Sequence, residues 1–390
     1  MNDKVISPAT RAALDKLDSK LGVEVIDWLA GLYDKESGGF YYAESSRDNP
    51  QFFPDIESLV QAVILLNRMG LVENYPEGGY ILPEEFRRKG IAFLDARQEE
   101  SDGYFYDPQY KAIANTAKKD RNTTFATWAY SGFRAKPPYA LPKERLAKKS
   151  APEAEKEKSS AVEERFSSEE SFIGWLEEIS VPTRCSYSWG SDLSSAAVLI
   201  TASGYRPTLI KWLKEKQCPE TGMWEKEPTP NGINGVLKLC GFFNEETEPF
   251  PNADSFIRNC VEISKTFSPR SGSEAWNPLG AMAIVLKSLG NSIPTEMQEL
   301  VDSSIADIIS NIADKIEDFR MPDGGYGYLK SGSSKISNDV VVSLGKREGD
   351  VNGTSLIALI YRDAYALAGL EQPGLWKKYN AYFFEKLGFR

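Results

Sequence analysis

Carboxyl side chains recur in this sequence at the starts of apolar, helix-like runs. Asp55 and Glu57 precede one run, Asp192 opens a second, and Asp350 and Asn352 precede a third. Glycoside hydrolysis requires two carboxyl groups about 5 to 9.5 Å apart, a separation that residues from different helices can supply. We therefore predict catalytic roles for Asp55, Asp192 and Asp350.

Other polar and aromatic residues near the same helix starts are predicted to bind a substrate. Aromatic rings stack on the C–H faces of a sugar, and amide or charged groups bind its hydroxyls. The predicted binding residues are Glu57, Arg121, Asn122, Trp189, Trp224, Asn231, Trp276, Asn277, Tyr326 and Asn352. The aromatic residues Tyr41, Phe52, Tyr104, Tyr106 and Tyr328 are expected to line the same cavity.

Each of these residues also has a purely structural interpretation. Asp, Asn and Ser at helix starts are ordinary N-caps. Asp55 and Glu57 are two positions apart, so their side chains diverge on a helix and form a weak acid and base pair.

The chain of 390 residues contains no histidine. This excludes Ser-His-Asp and Cys-His catalysis as well as histidine metal sites. Its four cysteines are widely spaced and form no C-x-x-C pair, so they do not indicate a zinc site. We expect no metal and no cofactor, with chemistry that depends on carboxylates, Tyr, Lys, Arg or Asn.

The net charge of -10 and the pI near 5.0 argue against nucleic acid as a partner. The N-terminus lacks the pattern of a signal peptide, and no run of about 18 apolar residues occurs. We therefore expect a cytoplasmic protein that binds a small molecule or an oligosaccharide and does not bind a membrane.

A glycine-aromatic motif separates the helix-like runs. It reads Ser37-Gly38-Gly39-Phe40, Asp102-Gly103-Tyr104, Thr221-Gly222-Met223-Trp224 and Asp323-Gly324-Gly325-Tyr326, with Tyr187-Ser188-Trp189-Gly190-Ser191 as a degenerate copy. Glycine permits the positive φ of a tight turn, and the aromatic residue can bury against the helix ends. The repetition predicts that each copy turns one helix into the next.

Helical spacing of apolar residues predicts six hairpins. Their helical runs are 7–32 and 53–70, 83–98 and 122–133, 172–179 and 193–202, 205–217 and 236–243, 253–267 and 278–289, and 297–320 and 350–368. With 340–342 as the one candidate strand, the pattern predicts a single all-α domain over residues 1–390. We favour a closed (α/α)6 toroid over an open solenoid, because repeats of such unequal length stack poorly in an open array.

Two polar segments depart from this scheme. Residues 143–170 are charged at nearly every other position and are predicted to form a mobile insertion. Residues 330–349 form a long polar loop, and such loops in compact domains are mobile or functional.

The glycine-aromatic loops at Gly38, Gly103 and Gly324 are similar to those of prenyltransferase-like repeats. At the level of the fold, most of the chain resembles the α/α toroids of terpenoid cyclases and protein prenyltransferases. The same toroids occur in many glycoside hydrolases and polysaccharide lyases, including heparinase II/III-like proteins. No catalytic motif of these families transfers residue by residue.

The catalytic motifs that are absent from this sequence distinguish among these families. Prenyltransferases hold zinc with Cys, Asp and His, and terpenoid cyclases use Asp-x-Asp-Asp or Asp-Asp-x-x-Asp, neither of which occurs here. Lyases of the heparinase II/III type commonly rely on His with Tyr, so only a version with Tyr, Asn and Arg remains. Glycoside hydrolases with paired carboxylates need no histidine.

We therefore predict a carbohydrate-active enzyme that acts on oligosaccharides, either a glycoside hydrolase with carboxylate acid and base residues or a lyase-like enzyme. The alternatives are a non-catalytic toroid that binds a glycan, peptide or protein, and a noncanonical terpenoid cyclase or prenyltransferase-like enzyme. Two carboxyl groups facing each other across a polar pocket favour the hydrolase, whereas an apolar pocket favours the terpenoid enzyme.

Overall fold

A computed structural model describes residues 6–110, 116–149, 164–246 and 248–389. These residues are mostly helical, which confirms the all-α fold class. The helices are α1 (Pro8–Asp18), α2 (Val23–Gly31), α3 (Glu44–Arg47), α4 (Ile56–Arg68), α5 (Glu84–Asp95), α6 (Thr116–Gly132), α7 (Pro142–Lys149), α8 (Glu169–Ile179), α9 (Ser186–Ser195), α10 (Ala197–Ala202), α11 (Arg206–Lys216), α12 (Pro230–Leu239), α13 (Ala253–Thr266), α14 (Gly272–Leu289), α15 (Thr295–Lys315), α16 (Val351–Leu367) and α17 (Asn380–Leu387).

Six of these helices contact one another in a circuit. Helix α4 packs on α6, α6 on α9, α9 on α12, α12 on α14, α14 on α16, and α16 returns to α4. The remaining long helices pack around them, with α15 between α1 and α13. Helix α16 is buried along almost its entire length, as expected for a helix with neighbours on several sides.

Four of the circuit helices, α4, α12, α14 and α16, begin at side-chain caps that satisfy a free backbone N–H group. Asp55 accepts a hydrogen bond from the Ser58 amide at 2.8 Å, and Asp350 accepts one from the Gly353 amide at 2.7 Å. Thr229 caps α12 in the same way. These caps fix where each helix starts and so align the helices of the circuit.

The glycine-aromatic motif forms a turn that occurs four times in the described ranges. In each copy the residues flanking the turn form one antiparallel bridge, and a glycine at positive φ reverses the chain. The bridges are Tyr33 with Phe40, Gln98 with Phe105, Cys218 with Met223, and Arg320 with Tyr326. At Gly38 (φ 82°) a Cβ atom would lie 2.9 Å from the backbone of Lys89, so the turn also requires glycine for close packing.

The degenerate copy at 187–191 is not a turn, and that part of the prediction is wrong. These residues lie inside α9, and Gly190 packs against α12, where a Cβ atom would lie 3.0 Å from the Lys238 Cβ atom. Gly235 of α12 packs against Ser186 of α9 in the same way. The glycines therefore allow two helices to approach closely, and tertiary packing outweighs their low helix propensity.

Several other helices begin earlier than predicted. Helix α6 begins at Thr116 instead of 122, and α12 begins at Pro230 instead of 236. Helix α14 begins at Gly272, where the Ser271 hydroxyl caps the amide of Glu274, and it continues through Pro278.

The two polar segments differ from one another. Helix α7 covers the start of the predicted insertion and α8 begins at its end, while residues 150–163 lie outside the described residues. In the loop 330–349, a two-residue hairpin pairs β1 (Ile336–Ser337) with β2 (Val340–Val341), which confirms a strand at 340. Buried Glu348 ties the loop to Ser45 by accepting hydrogen bonds from its amide and hydroxyl groups.

No helix in the described part of the chain combines the length and the apolar character needed to cross a bilayer.

Candidate functional site

A cavity of about 480 Å³ lies among the six circuit helices. Five of the helices contribute residues three, four or seven positions apart, which is the spacing of one helical face, and α12 contributes two adjacent residues. From α4 these are Gln61, Ile64 and Arg68; from α6, Arg121, Thr124, Phe125 and Trp128; from α9, Tyr187, Ser191, Ser194 and Ser195; from α12, Leu237 and Lys238; from α14, Ser273, Trp276 and Asn277; and from α16, Asn352, Ser355, Leu356 and Leu359. Tyr42, Tyr328, Ser334 and 336–338 complete the lining.

Three cationic side chains line this cavity, namely Arg68, Arg121 and Lys238. Among the described residues that form the lining, there is no Asp or Glu. The lining also includes three phenols, several hydroxyls and amides, and the indoles of Trp128 and Trp276. The cavity therefore combines cationic, polar and aromatic groups with aliphatic side chains such as Ile64 and Leu359, although the chain as a whole is acidic.

Arg121 is oriented by a buried carboxylate. Its Nε and Nη2 atoms lie 3.0 and 2.5 Å from the two oxygens of Glu57, and the Lys118 Nζ atom lies 3.0 Å from the same carboxylate. Burial raises the pKa of Glu57, but the charges of Arg121 and Lys118 outweigh burial and hold the pKa well below its ordinary value. Glu57 thus remains ionised, and its function is to position Arg121.

Lys238 lies beside Tyr187 on the wall of the cavity. Its Nζ atom is 5.4 Å from the centre of the Tyr187 ring. Burial, and then the positive charge of Arg121, lowers the pKa of Lys238 to about 8, while Glu57 opposes the shift. A lysine with this pKa is partly neutral near physiological pH, which is a condition for a lysine to act as a base or nucleophile.

Tyr328 is the second phenol of this group. Its hydroxyl lies 2.8 Å from the Ser273 hydroxyl. Burial raises the pKa of Tyr328 above the ordinary value for a phenol, and neighbouring Tyr187 adds to the shift. Tyr328 therefore stays protonated at neutral pH and can donate a proton or a hydrogen bond.

Arg68 lies at the C-terminal end of α4 and lines the cavity there. Burial, and then repulsion from Arg362, lowers the pKa of Arg68 to about 9, and the charge of Asp363 partly compensates. Asp363 itself accepts a hydrogen bond from the Trp276 indole at 2.7 Å. An anionic ligand in the cavity would relieve the unfavourable burial of the Arg68 charge.

Two amide oxygens in the lining are buried without a hydrogen-bond partner within the described ranges. They are the Gln61 Oε1 and Asn277 Oδ1 atoms. The amide nitrogens of the same side chains do have partners, since Gln61 donates to Asn352 at 3.1 Å and Asn277 donates to Asn234 at 2.7 Å. The two free oxygens are suitable acceptors for ligand hydroxyl groups.

The three predicted catalytic carboxylates do not line the cavity. Asp55 and Asp350 are buried N-caps. The oxygens of Asp55 accept hydrogen bonds from the amide and hydroxyl groups of Ser58. Those of Asp350 accept hydrogen bonds from the amides of Gly353, Tyr328 and Ser334. Asp192 forms an ion pair with Arg184 at 2.8 Å and lines a different pocket. Their catalytic roles remain predictions, and the geometry assigns each of them a structural role.

Asp55 also belongs to a buried carboxyl pair that the sequence analysis missed. Asp107 accepts hydrogen bonds from the amide of Ile56 at 3.0 Å, from Arg97 at 3.1 Å and from Asn122 at 3.2 Å. Burial, and then the charge of Asp107, raises the pKa of Asp55 to about 7. These acids stabilise the start of α4 on the side away from the cavity lining.

The predicted binding residues divide into two groups. Arg121, Trp276, Asn277 and Asn352 line the cavity, and so does Tyr328 from the wider aromatic set. The others lie elsewhere. Glu57 and Asn122 are buried in the network at the start of α4. Trp189 and Trp224 pack against one another. The Tyr326 hydroxyl is bonded to Lys20 and Arg320, and Asn231 is exposed.

Arg68, Lys238, Tyr187 and Gln61 were missed by the sequence analysis. Gln61, Arg68 and Lys238 lie one to three turns inside apolar helices, whereas the predictions centred on helix starts. Tyr187 is the second residue of α9, a helix that was predicted to begin only at 193. One sequence pattern could have identified some of them, namely polar residues that repeat on one face of an apolar helix. Gln61 and Arg68, seven positions apart on α4, form such a pattern.

In the described ranges, no group of three His, Cys, Asp or Glu side chains is arranged to hold a metal ion. Comparisons of the chain with protein-family models, with curated proteins and with solved structures gave no match. The geometry of the cavity is therefore the basis on which a function is assigned.

Proposed function

We propose that the chain is an (α/α)6 toroid whose cavity binds an acidic oligosaccharide and cleaves it by β-elimination, as a polysaccharide lyase does. The circuit from α4 through α16 and back supports the toroid, because each of its six helices follows one hairpin turn or loop. The observation that carries the function is the lining with three cations and, among the described residues, no carboxylate.

The ligand is inferred from the groups that line the cavity. Its volume of about 480 Å³ lies within the ~300–1,000 Å³ typical of small-ligand sites. Arg68 and Arg121 match a carboxylate, since a guanidinium group can bind both of its oxygens. The indole rings supply stacking surfaces for sugar rings, and the free amide oxygens of Gln61 and Asn277 supply acceptors for hydroxyls.

The chemistry follows from the combination of arginine and tyrosine. In a uronate, a cation bound to the carboxylate makes the adjacent C–H group more acidic. A base removes that proton, the bond to the leaving oxygen on the next carbon breaks, and an acid protonates the oxygen. Tyr187, beside the positive charge of Lys238, is the candidate base, and protonated Tyr328 is the candidate acid.

Hydrolysis with two carboxylates has less support from this site. That mechanism needs two acids facing the substrate, and the oxygens of Asp55, Glu57 and Asp350 are instead bonded to the protein's own donors. A terpenoid substrate is also disfavoured, because it needs an apolar cavity and three cations line this one.

The test compares uronate oligosaccharides with neutral oligosaccharides of equal length. We expect binding and cleavage of the acidic series only, with an unsaturated uronate product detected by its ultraviolet absorbance. Tyr328→Phe should lower the cleavage rate about 10²-fold while leaving binding intact. Arg68→Gln should weaken binding of the acidic ligand about tenfold, which is ~1.4 kcal/mol, and Arg258→Gln at an exposed site is the control.

The outcomes separate the alternatives. New reducing ends without an unsaturated product would indicate a hydrolase, and binding without any product would indicate a non-catalytic toroid. Equal binding of acidic and neutral ligands would refute the assignment of the cationic wall.

A further inference from the structure

Lys238 touches no reacting atom in the proposed elimination. It projects from α12, and in the described part of the chain its ammonium group has no ion-pair partner. The side chain is partly buried and lies over the ring of Tyr187, 5.4 Å from its centre. A lysine in this position contributes no salt bridge to the fold, so its placement in the cavity needs another explanation.

We propose that Lys238 is a nucleophilic amine that forms an imine with small carbonyl compounds that carry a negative charge. This activity is independent of oligosaccharide cleavage. The compounds are 2-oxo acids and acidic sugars in their open-chain form, and their anionic group would bind to Arg68 or Arg121 in the same cavity.

The surroundings of Lys238 favour its neutral, nucleophilic form. A lysine is activated when it is desolvated or placed beside another cation, and both conditions hold here. Burial contributes most, and the guanidinium group of Arg121 contributes next, so that the pKa of Lys238 falls to about 8. Glu57 acts in the opposite direction, but its two oxygens already bind Arg121 and Lys118.

Imine formation also requires proton transfer, which the neighbouring phenols can supply. The Nζ lone pair attacks the carbonyl carbon, a C–N bond forms as the C–O π bond breaks, and one proton passes from the nitrogen to the carbonyl oxygen to give a carbinolamine. The nitrogen then loses a proton while the C–O bond breaks and the hydroxyl leaves as water. Tyr187, next to Lys238, and Tyr328, in the same cavity, can donate the proton to the departing oxygen. The net change releases one water molecule and needs no oxidant or reductant.

The test traps the imine on the intact chain. The protein is incubated at pH 7 with glyoxylate and sodium cyanoborohydride, and the modified lysines are identified by peptide mass spectrometry over time. We expect Lys238 to be labelled at least about tenfold faster than exposed Lys211, because a larger fraction of its amine is neutral. Labelling of Lys238 should level off above pH 8, which is the signature of its lowered pKa.

Three comparisons make the test specific. Lys238→Arg keeps the charge but cannot form an imine, so the fast labelling should disappear, while Lys211→Arg should leave it unchanged. Arg68→Gln should slow labelling by glyoxylate but not by neutral glycolaldehyde. The proposal is overturned if Lys238 of the unmodified protein reacts no faster than Lys211, a result that does not depend on whether any variant folds.

The same experiment separates this inference from the proposed lyase activity. Fast labelling of Lys238 without cleavage of uronate oligosaccharides would support the imine and refute the lyase. Cleavage of uronate oligosaccharides with slow labelling of Lys238 would support the lyase and refute the imine.

Discussion

The buried acids at the starts of the circuit helices differ from the cations Arg68 and Lys238, which lie further along these helices in the cavity wall. At the starts, Asp55, Glu57 and Asp350 are buried and bonded to amides, hydroxyls or cations of the protein itself. On the wall, Arg68 and Lys238 are held where burial makes their charge unfavourable. The acids have hydrogen-bond partners within the fold, whereas Arg68 and Lys238 have no ion pair in the described part of the chain and are kept at a cost to stability, which is typical of binding sites.

The largest effect that distinguishes the two regions is expected at Glu57. Glu57→Gln leaves the charges of Arg121 and Lys118 uncompensated in a buried site, so we expect the free energy of unfolding to fall by about 3–5 kcal/mol. Chemical denaturation measures this loss. Glu77→Gln is the matched control, because its ion pair with Arg134 is exposed and should contribute less than about 1 kcal/mol. Equal effects of the two substitutions would contradict the structural role of Glu57.

A smaller effect is expected where α9 meets α12. In Gly235→Ala, the new Cβ atom would lie 1.6 Å from the Ser186 Oγ atom and 2.7 Å from its Cβ atom, so the helices must move apart. We expect a loss of about 1–3 kcal/mol in unfolding free energy and weaker ligand binding, since Tyr187 and Lys238 lie on these helices.

The control for this experiment is Gly174→Ala in α8. A Cβ atom there meets no heavy atom within 4 Å, so the substitution should stabilise the protein by about 0.8–1.0 kcal/mol through helix propensity alone. A stabilising effect of Gly235→Ala would show that the wall does not depend on close packing at this glycine.

These glycines also show what could be predicted from the sequence and what could not. The helices capped by Asp55 and Asp350 and the four glycine-aromatic turns follow from local rules, and they occur nearly where expected. Gly190 and Gly235 were misinterpreted, because a glycine that ends a helix and one that lets two helices approach look the same in a sequence. Only the partner helix distinguishes them.

The site was predictable to a similar extent. Arg121, Trp276, Asn277 and Asn352 were identified because they lie close to the predicted starts of their helices, at 122, 278 and 350. Arg68 and Lys238 lie near the ends of apolar helices, where a single cation is usually a solvated residue. Their orientation depends on how each helix is rotated about its axis, and this rotation is set by packing with both neighbours.

A separate effect concerns the pH dependence of stability. Burial raises the pKa of Asp350 to about 7, whereas an unfolded Asp has a pKa of about 3.9. Between these values the folded state holds a proton that the unfolded state has lost, so unfolding free energy falls as pH rises, by up to ~1.4 kcal/mol per pH unit for one group. Asp55 contributes in the same direction.

Asp350→Asn tests this prediction, because asparagine is also a good N-cap but cannot ionise. Thermal or chemical unfolding between pH 4 and 7 should show a shallower decline for the variant than for the parent protein. An unchanged slope would mean that Asp350 is ionised in the folded state, like Glu57.

The contact between α4 and α16 has a consequence for how the protein is made. Gln61 and Asn352 are bonded across 291 positions of sequence, and Ser45 and Glu348 across 303. Contacts of such high sequence separation slow folding, because a long segment of chain must be ordered before they form. During synthesis, the cavity therefore cannot close until the last helix of the circuit has left the ribosome. Until then the unfinished circuit exposes apolar helix faces, and the nascent chain is most exposed to aggregation at this stage.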